Sequence, residues 1–195
     1  MEEKQPLETL TYTISLEEYE KGFVLFQKRY VFPKNYIMTA AFAIVAALYI
    51  LQIVENPAYS TAWVMLLVCL FFIALIWYNV FKIRKSLINS IKNIKEDTYV
   101  TKIYDDGLVI SVKIPEEEIS PENPPAEIPP KEISFSSDRP DVIENAEMFI
   151  IYIKKQMFYA IPKRCLSTQQ EEVLRNALKE AKDVKFIDKL KKEKA

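Results

Sequence analysis

Two long runs of apolar residues dominate the hydrophobic pattern of the chain. The first covers residues 36–54 (YIMTAAFAIVAALYILQIV), the second covers residues 62–80 (AWVMLLVCLFFIALIWYNV), and neither contains a charged side chain. As a helix, each run would rise about 28 Å, which is close to the thickness of the hydrocarbon core of a bilayer. The pattern therefore predicts a transmembrane hairpin over residues 36–80, with the polar segment 55–61 as a short turn between the spans.

Basic residues flank the runs only on the sides away from this turn. They are Lys21, Lys28, Arg29 and Lys34 before the first run, and Lys82, Arg84, Lys85, Lys92 and Lys95 after the second. Because positively charged flanks stay in the cytosol, both termini are expected there. The lack of charge inside the spans favours an anchor over an ion conduit. Lys82, Arg84 and Lys85 are candidate contacts to lipid headgroups, the alternative being stop-transfer charge that needs no specific lipid.

Small side chains recur every four residues in the first span, at Thr39, Ala43 and Ala47. Such a stripe would let the second span approach closely. Alanine is also common in membrane helices in general, so the pattern alone leaves the packing face open.

Residues 1–35 are expected to form a cytosolic strand followed by an amphipathic helix. Residues 10–14 alternate between apolar and polar types, and Ser15 with Glu18 has the pattern of a capping box. The helix places large apolar side chains on one face and is expected to end at Pro33. It either lies on the membrane surface or packs on the cytosolic domain, and its acidic residues favour packing.

Beyond the second span, residues 81–97 predict a juxtamembrane helix, and residues 98–195 predict a cytosolic β domain. The domain opens with a hairpin of two strands, 98–104 and 108–114, around the turn Asp105-Asp106-Gly107. The regular alternation of the second strand indicates a sheet with one buried face.

The rest of the domain shows further elements and one unusual segment. Strands are predicted at 133–136, 148–153 and 157–161, with residues 142–143 as a short link. Ser167 with Gln170 forms a second capping box and starts a closing helix, 167–183. Residues 115–130 are rich in proline and glutamate and predict a disordered insertion.

The composition narrows the classes of function. The chain has 195 residues, a net charge of −1, two glycines and no histidine. A glycine-rich phosphate loop and a histidine general base are therefore excluded, and the overall charge argues against nucleic-acid binding. The glutamates at 116–118 lie in the predicted insertion, where nothing would hold an acid–base pair in place. We expect no enzyme activity, no bound metal and no cofactor.

Two features near the last predicted strand carry chemistry. Lys163 and Arg164 are candidate contacts to anionic headgroups or an acidic partner, the alternative being ordinary solvated charge. Cys165 follows these bases and precedes a helix start, which favours a reactive thiolate. It is a candidate reactive thiol, and the alternative is a small, partly buried filler. A cysteine–histidine nucleophile is excluded, because the chain has no histidine.

The same region carries a recognisable motif. A strand that ends in Pro162-Lys163-Arg164 leads into a helix with Glu171-Glu172 in its first turn, followed by Leu174-Arg175. The segment 152–178 (YIKKQMFYAIPKRCLSTQQEEVLRNAL) resembles the C-terminal signature of the YcxB-like family of bacterial membrane proteins. The resemblance implies a small, curved antiparallel sheet with a closing helix, similar to a pleckstrin-homology-like fold. It implies little about activity.

The chain departs from the family pattern in two places. The insertion at 115–130 is of unusual character, and Phe135 stands where the family's strand usually carries a tryptophan. A pleckstrin-homology mode of phosphoinositide binding needs basic residues at the first strand turn. The carboxylates of Asp105 and Asp106 stand there instead and would repel phosphate, so this mode is excluded.

The sequence thus predicts an α+β membrane protein. A two-helix transmembrane hairpin accompanies a small antiparallel β domain with an amphipathic N-terminal helix and a closing C-terminal helix, and residues 10–14 are expected to join the sheet after the hairpin. The expected function is a cytosolic interaction or tethering module anchored in the bacterial inner membrane. Its partners would be the bilayer and a protein that the sequence does not identify. The alternatives are a small integral subunit of a larger membrane complex and, third, a hydrolase or thiol enzyme.

Overall fold

The structure is a computed structural model that describes residues 5–92, 97–113 and 129–190. The chain folds into two compact units. The sheet unit combines residues 1–22 with residues 94–195, and the hairpin unit comprises residues 23–93. The insertion predicted at 115–130 lies outside the described residues up to position 128.

The described helices fall in both units. They are α1 (Leu16–Phe26), α2 (Phe32–Glu55), α3 (Ser60–Lys92), α4 (Phe135–Asp138) and α5 (Thr168–Glu180). A π-helical segment, Gln27–Val31, joins α1 to α2, and a 3₁₀ turn, Lys163–Cys165, precedes α5.

Four antiparallel strands, in the order β1-β2-β3-β4, form the first sheet of the sheet unit. They are β1 (Glu8–Thr13), β2 (Thr98–Tyr104), β3 (Gly107–Lys113) and β4 (Lys131–Ser134). The predicted hairpin of β2 and β3 is confirmed, with Tyr104 opposite Gly107 at its turn. Gly107 is needed there, because a Cβ would overlap the carbonyl oxygen of Ile133 on β4.

The first strand pairs with a strand that follows the hairpin unit in the sequence. β1 runs antiparallel to β2 along its length, and Thr13 lies opposite Thr98. Leu10 and Tyr12 of β1 are buried in the core. The predicted pairing across the hairpin is therefore confirmed, and the hairpin unit is an insertion between two neighbouring strands of one sheet.

The second sheet has the order β7-β6-β5-β8. Its strands are β5 (Asp141–Glu144), β6 (Met148–Ile153), β7 (Met157–Pro162) and β8 (Lys185–Asp188). The first three are antiparallel neighbours, as predicted for β6 and β7, whereas β8 lies parallel to β5.

The structure corrects the sequence prediction in this sheet. Residues 142–143 belong to a strand rather than a link, and residues 185–188 form a strand that was not predicted. The single expected sheet is thus two sheets, one with a parallel pair. Both strands are four residues long. Alternation is hard to recognise over so few residues. For β8, pairing with a strand more than forty residues earlier also contributes, which no local pattern indicates.

The strand predicted at 133–136 ends earlier, at Ser134. The hydroxyl of Ser134 accepts a hydrogen bond from the N–H of Ser137 at 3.4 Å and so caps α4. The capping bond competes with extended structure, which explains the early end of the strand.

The closing helix α5 begins as predicted. The N–H of Gln170 donates to the hydroxyl of Ser167 at 3.2 Å, and the N–H of Ser167 donates to the Gln170 side chain at 3.0 Å. The helix ends at Glu180 rather than at 183, because the chain turns there towards β8. On its inner face Leu174 and Leu178 are fully buried. Both sheets and α4 surround them with Leu10, Tyr12, Ile103, Leu108, Ile110, Ile133, Phe135, Val142, Phe149, Ile151, Ile153 and Ile161.

The first two turns of α1 pack within the sheet unit. The ring of Tyr19 lies 5.2 Å from that of Phe158 on β7, and a Cβ on Gly22 would lie 2.9 Å from the same phenylalanine. The Nζ of Lys21 is 2.9 Å from a carboxylate oxygen of Glu147. For this part of the helix, the contacts support packing on the domain rather than on a membrane surface.

In the hairpin unit, the helix does not end at Pro33 as predicted. α2 begins at Phe32, so Pro33 occupies its first turn, where a missing N–H breaks no helical hydrogen bond. Just before it, the N–H of Phe32 donates to the carbonyl of Gln27, five residues back. This wider π-helical turn leaves room for the proline ring, which is why the helix continues.

Small buried side chains line the contact between α2 and α3. They are Ala46 on α2 and Ala62 and Cys69 on α3. The rings of Phe42 and Phe72 stack between the helices with centroids 5.4 Å apart. Close packing of this kind is typical of paired membrane helices, because lipid offers no hydrophobic driving force for their association.

The structure corrects the predicted stripe of small residues. Only Thr39 lies in the helix contact, where its hydroxyl accepts a hydrogen bond from the indole N–H of Trp77 at 3.2 Å. Ala43 and Ala47 are exposed, and Ala46 takes their place. On a helix of 3.6 residues per turn, a four-residue spacing drifts by about 40° per step. The seven-residue spacing from Thr39 to Ala46 stays on one face.

Both long helical segments satisfy the length and composition of a membrane span. Leu16–Glu55 has a mean hydropathy of 2.3 and Ser60–Ser90 of 2.5 over their most apolar windows. α3 continues without a break into the residues predicted as a separate juxtamembrane helix, 81–97, as far as Lys92. The coarse prediction of two apolar helices in an α+β chain is confirmed.

Replacing Ala46 by leucine is expected to weaken the packing of α2 on α3 by about 1–3 kcal/mol, because the added carbons have no space. Thermal unfolding in detergent measures this, followed by the fluorescence of Trp63 and Trp77, the only tryptophans of the chain. Ala47→Leu makes the same chemical change at an exposed neighbour and should leave the unfolding temperature unchanged. An equal loss in both variants would contradict this contact face.

Candidate functional site

A densely connected group of charged side chains lies in the described part of the sheet unit, at the end of β5. Glu144 is the last residue of this strand, between β6 and β8, and its side chain is completely buried. A buried carboxylate is costly unless cations and hydrogen bonds compensate its charge. Glu144 and the three charged residues around it, Lys163, Glu171 and Arg175, are called the Glu144 cluster here.

Arg175 and Lys163 both bind the buried carboxylate. The Nε of Arg175 donates to the two carboxylate oxygens of Glu144 at 3.0 and 3.1 Å, and its Nη2 donates to Oε1 at 2.6 Å. The Nζ of Lys163 lies 2.7 Å from the same Oε1. Three elements therefore meet at one carboxylate: β5, the 3₁₀ turn after β7, and α5.

Glu171 completes the cluster from the first turn of α5. Its carboxylate forms an ion pair with Lys163 at 3.1 Å and another with Arg175, one helical turn further on. Two carboxylates and two cations balance each other. Beneath them lies the ring of Phe149, with the Nζ of Lys163 4.8 Å and the Cζ of Arg175 5.9 Å from its centroid. The aromatic face adds cation–π attraction.

The ionisation of the cluster follows from these contacts. Burial opposes the charge on Glu144, but the hydrogen bonds from Arg175 and Lys163 outweigh it, so the pKa of Glu144 lies below its usual value. The hydrogen bonds to Glu144 also raise the pKa of Arg175. All described contacts therefore stabilise the charged forms, and the carboxylate is held as an internal counter-ion rather than as a free base.

Arg164, the next predicted residue, lies in a second ion pair within the sheet unit. Its Nε donates to Glu18 at 2.7 Å and its Nη2 at 2.9 Å, and Nη2 also reaches the carbonyl of Thr13 at 3.0 Å. Glu18 closes the predicted capping box by accepting from the N–H of Ser15 at 2.9 Å. Burial opposes the charge of Glu18, but the Arg164 contact outweighs it and the pKa of Glu18 is lowered.

Cys165 is partly buried against the core of the sheet unit. Its thiol lies 3.9 Å from the carbonyl of Thr13, to which it donates, and its sulfur accepts from the Nη1 of Arg164 at 3.2 Å. These contacts suit the structural interpretation of Cys165, while the reactive thiol stays a prediction.

The structure does not bring the five basic residues that were predicted to contact headgroups or a partner into one site. Lys163 and Arg164 are neighbours in the chain, yet they serve two different carboxylates inside the sheet unit. Lys82, Arg84 and Lys85 lie on α3 in the hairpin unit. For all five, contact with headgroups or a partner stays a prediction.

Sequence reasoning missed Glu144, the centre of the cluster. It lies 19 residues before Lys163 and 31 before Arg175, so no local spacing connects them. The available signal was an acidic residue at the end of an apolar stretch, and residues 142–143 were themselves interpreted as a link. A buried acid predicts a cationic partner only after the strand has been recognised.

Acid is expected to destabilise the sheet unit. Glu144, Glu18 and Asp138 have pKa values in the folded state below their usual values, so the unfolded state binds more protons as the pH falls. Their contribution is fully present above the usual carboxyl range and is lost as the pH falls through the folded pKa values. Urea unfolding between about pH 6 and pH 3 should show this loss, and Glu144→Gln should reduce its slope. A pH-independent midpoint would contradict the assignment.

The fold and the cluster define an α+β protein with two β-sheets, a closing helix, and two helices long and apolar enough to span a membrane. Residues 141–178 match the model of the YcxB-like protein family. The matched segment is about a fifth of the chain and contains all four residues of the Glu144 cluster. The resemblance predicted from the sequence is thus confirmed for this segment. Neither a curated protein nor a solved structure matches the chain.

Proposed function

We propose that the protein is a membrane-anchored tethering module. The hairpin unit would cross the cytoplasmic membrane of a bacterium, with both termini and the sheet unit in the cytosol. Confinement to the membrane surface raises the effective concentration of the sheet unit for a protein partner at the same membrane. The single observation that carries this proposal is the pairing of β1 with β2 on either side of the hairpin unit.

This pairing matters because it gives the sheet unit two covalent links to the anchor. The chain leaves the sheet unit after Gly22 and re-enters it at Ile94. A domain appended to one helix turns freely about a single linker. A domain interrupted by its anchor is joined to it at two points of the chain, which suits a module that stays at the membrane surface.

Exposure and charge support the membrane assignment. Large apolar side chains on the hairpin unit face outward, such as Ile37, Val54 and Leu67 at 70, 72 and 65% exposure. The stretch from Lys21 to Lys95 contains a single acid, Glu55 at the end of α2, and all its bases flank the two spans at the ends away from the connection between them. Exposed apolar area of this extent is typical of a lipid-facing surface.

The sheet unit supports a pleckstrin-homology-like arrangement as part of the proposal. Two sheets enclose a core, and a C-terminal helix closes it. β8 would be an addition to that arrangement. The acidic turn of Asp105 and Asp106 still argues against phosphoinositide binding at this position.

The alternative is a small integral subunit whose hairpin packs into a larger membrane complex. The observation in its favour is the exposure of Ala43 and Ala47, which places a small-residue face away from α3. Such faces allow close approach of a further helix.

Recovery of partners from native membranes, followed by mass spectrometry, separates the two functions. The full chain is compared with an Ala43→Leu, Ala47→Leu variant and with a chain that ends after Lys92. Tethering predicts that the double variant keeps the partners and that the shortened chain loses them. The opposite pattern would establish the subunit function and contradict tethering.

A further inference from the structure

One face of α3 carries a groove of about 450 Å³ at the end of the apolar span. It is lined by Tyr78, Phe81, Lys82, Lys85, Ser86 and Asn89, and these six residues are called the lysine face here. Positions 78, 82, 85 and 89 repeat at helical spacing, so they lie above one another on the same side of the helix.

The lysine face points away from the helix contact. Tyr78 and Phe81 are about 60% exposed, whereas Val80 between them is buried. The Nζ of Lys82 lies 6.0 Å from the centroid of the Tyr78 ring. Within the part of the chain that the structure describes, neither Lys82 nor Lys85 is paired with a carboxylate. Their charges are thus open to a ligand.

The length of α3 sets the depth of this face in a bilayer. The helix has 33 residues and is therefore about 50 Å long, whereas the hydrocarbon core is about 30 Å thick. If the span begins near Ala62, about 20 residues of helix reach Phe81. Tyr78 and Phe81 then border the acyl chains, and Lys82, Lys85 and Ser86 stand at the level of the headgroups.

Along the helix, the side chains of the lysine face change from apolar to charged to polar, in the same order as the acyl chains, the phosphate and the headgroup of a phospholipid. The aromatic rings of Tyr78 and Phe81 lie at the acyl boundary, and the ammonium groups of the two lysines that follow can bind a phosphate. The hydroxyl of Ser86 and the amide of Asn89 come next and can donate hydrogen bonds to headgroup oxygens. The absence of any acid between Asn56 and Lys95 means that no nearby carboxylate in the sequence competes for the lysines.

We propose that the lysine face binds the phosphate of an anionic phospholipid in the cytosolic leaflet. The proposal rests on the proposed membrane insertion and adds a defined lipid site to it. Bound lipid would fix the depth and rotation of α3, and with them the point at which the chain re-enters the sheet unit. Lys82 and Lys85 supply the charge, and Tyr78 packs beside the glycerol backbone.

The test uses the full chain in nanodiscs that contain equal amounts of phosphatidylglycerol and phosphatidylcholine. Native mass spectrometry measures how much of each lipid the released protein retains. The variant Lys82→Gln, Lys85→Gln removes the proposed phosphate ligands. The control Lys28→Gln, Lys34→Gln removes the same charge from exposed positions of the other helical segment.

The wild type and the control should retain phosphatidylglycerol in preference to phosphatidylcholine. The lysine-face variant should bind phosphatidylglycerol roughly 30-fold more weakly, since each lysine near an anionic surface contributes about 1 kcal/mol. If both variants lost the same amount of bound phosphatidylglycerol, the attraction would come from flanking charge in general and the proposed site would be overturned. The site would also be overturned if the lysine-face variant retained as much phosphatidylglycerol as the wild type. If the wild type did not enter nanodiscs at all, the proposed membrane anchoring would be overturned together with the lipid site. A wild type that enters nanodiscs without preferring phosphatidylglycerol would overturn the lipid site alone.

Discussion

Glu144→Gln is expected to lower the free energy of unfolding of the sheet unit by about 3–5 kcal/mol. The substitution keeps the size of the side chain but removes the charge that Lys163 and Arg175 share. Both cations are largely withdrawn from solvent, at 11 and 23% exposure, so their charges would be left without their main counter-ion. Removing one partner of a buried ion pair lowers the free energy of unfolding by more than the intact pair contributes to it, because the remaining charge is left buried and uncompensated.

Hydrogen exchange of the amides in β5 and β6, measured in urea, reports this change. Tryptophan fluorescence would not report it, because both tryptophans, Trp63 and Trp77, lie in the hairpin unit. The control is Glu172→Gln on α5, an exposed neighbour of Glu171, for which a change within about 0.5 kcal/mol is expected. A Glu144 variant as stable as the control would contradict the assigned role of the cluster.

A further variant separates charge compensation from packing. Replacing Glu144 by leucine together with Lys163 and Arg175 by methionine removes the fully buried carboxylate and both cations that bind it, and leaves only the partly exposed Glu171 charged. Apolar replacement of a whole buried ionic group is often neutral or stabilising. We therefore expect this triple variant to be more stable than Glu144→Gln alone, in spite of its larger number of changes.

Removing the hairpin unit is expected to yield a water-soluble, folded sheet unit, provided that β1 is kept. The chain would join Gly22 to Ile94 through a flexible glycine–serine linker in place of residues 23–93. All strands and the core of the sheet unit remain in such a chain. It should unfold cooperatively and appear in the soluble fraction of lysed cells.

A fragment that begins at residue 96 is the matched comparison. It too lacks both long apolar helices, but it also lacks β1, which contributes Leu10 and Tyr12 to the core. Loss of a large core side chain costs about 2–5 kcal/mol, and two such losses consume most of the stability of a typical domain. The fragment should show no cooperative unfolding. A stable, cooperatively melting fragment would refute the view that the hairpin unit interrupts a single fold.

Local patterns were sufficient to predict much of this fold. The alternation along β3, the Asp105-Asp106-Gly107 turn before it and the apolar run of β6 identified two hairpins, and Ser15 and Ser167 marked two helix starts. These signals come from residues within a few positions of one another, which interact in the folded chain through short-range hydrogen bonds. The apolar runs of the hairpin unit are equally local, so their lengths could be read directly.

The features that could not be predicted depend on distant parts of the chain. β8 exists as a strand because it pairs with β5 across more than forty residues. The continuation of the helix through Pro33 depends on a π-helical turn that no propensity indicates. At the candidate site, Lys163, Glu171 and Arg175 were seen as motif residues, whereas the buried acid that unites them was not.

The Glu144 cluster also gives a physical meaning to the family signature in this chain. The motif residues Lys163, Glu171 and Arg175 hold the closing helix on the second sheet. The segment that matches the YcxB-like model thus contains all the residues of an ion-pair cluster that holds the closing helix in place. Function is then expected at surfaces outside the cluster, which agrees with a tethering module that presents a sheet unit at the membrane.

Labelling of single cysteines in intact cells tests the central claim most directly. In a chain with Cys69→Ala and Cys165→Ser, one variant carries Ser60→Cys at the start of α3, next to the connection between α2 and α3, and another carries Ser137→Cys in the sheet unit. Both positions are exposed. A membrane-impermeant maleimide should label residue 60 in intact cells and residue 137 only after lysis. Labelling of residue 137 in intact cells, or protection of residue 60 until lysis, would contradict a hairpin that crosses the membrane with the sheet unit inside.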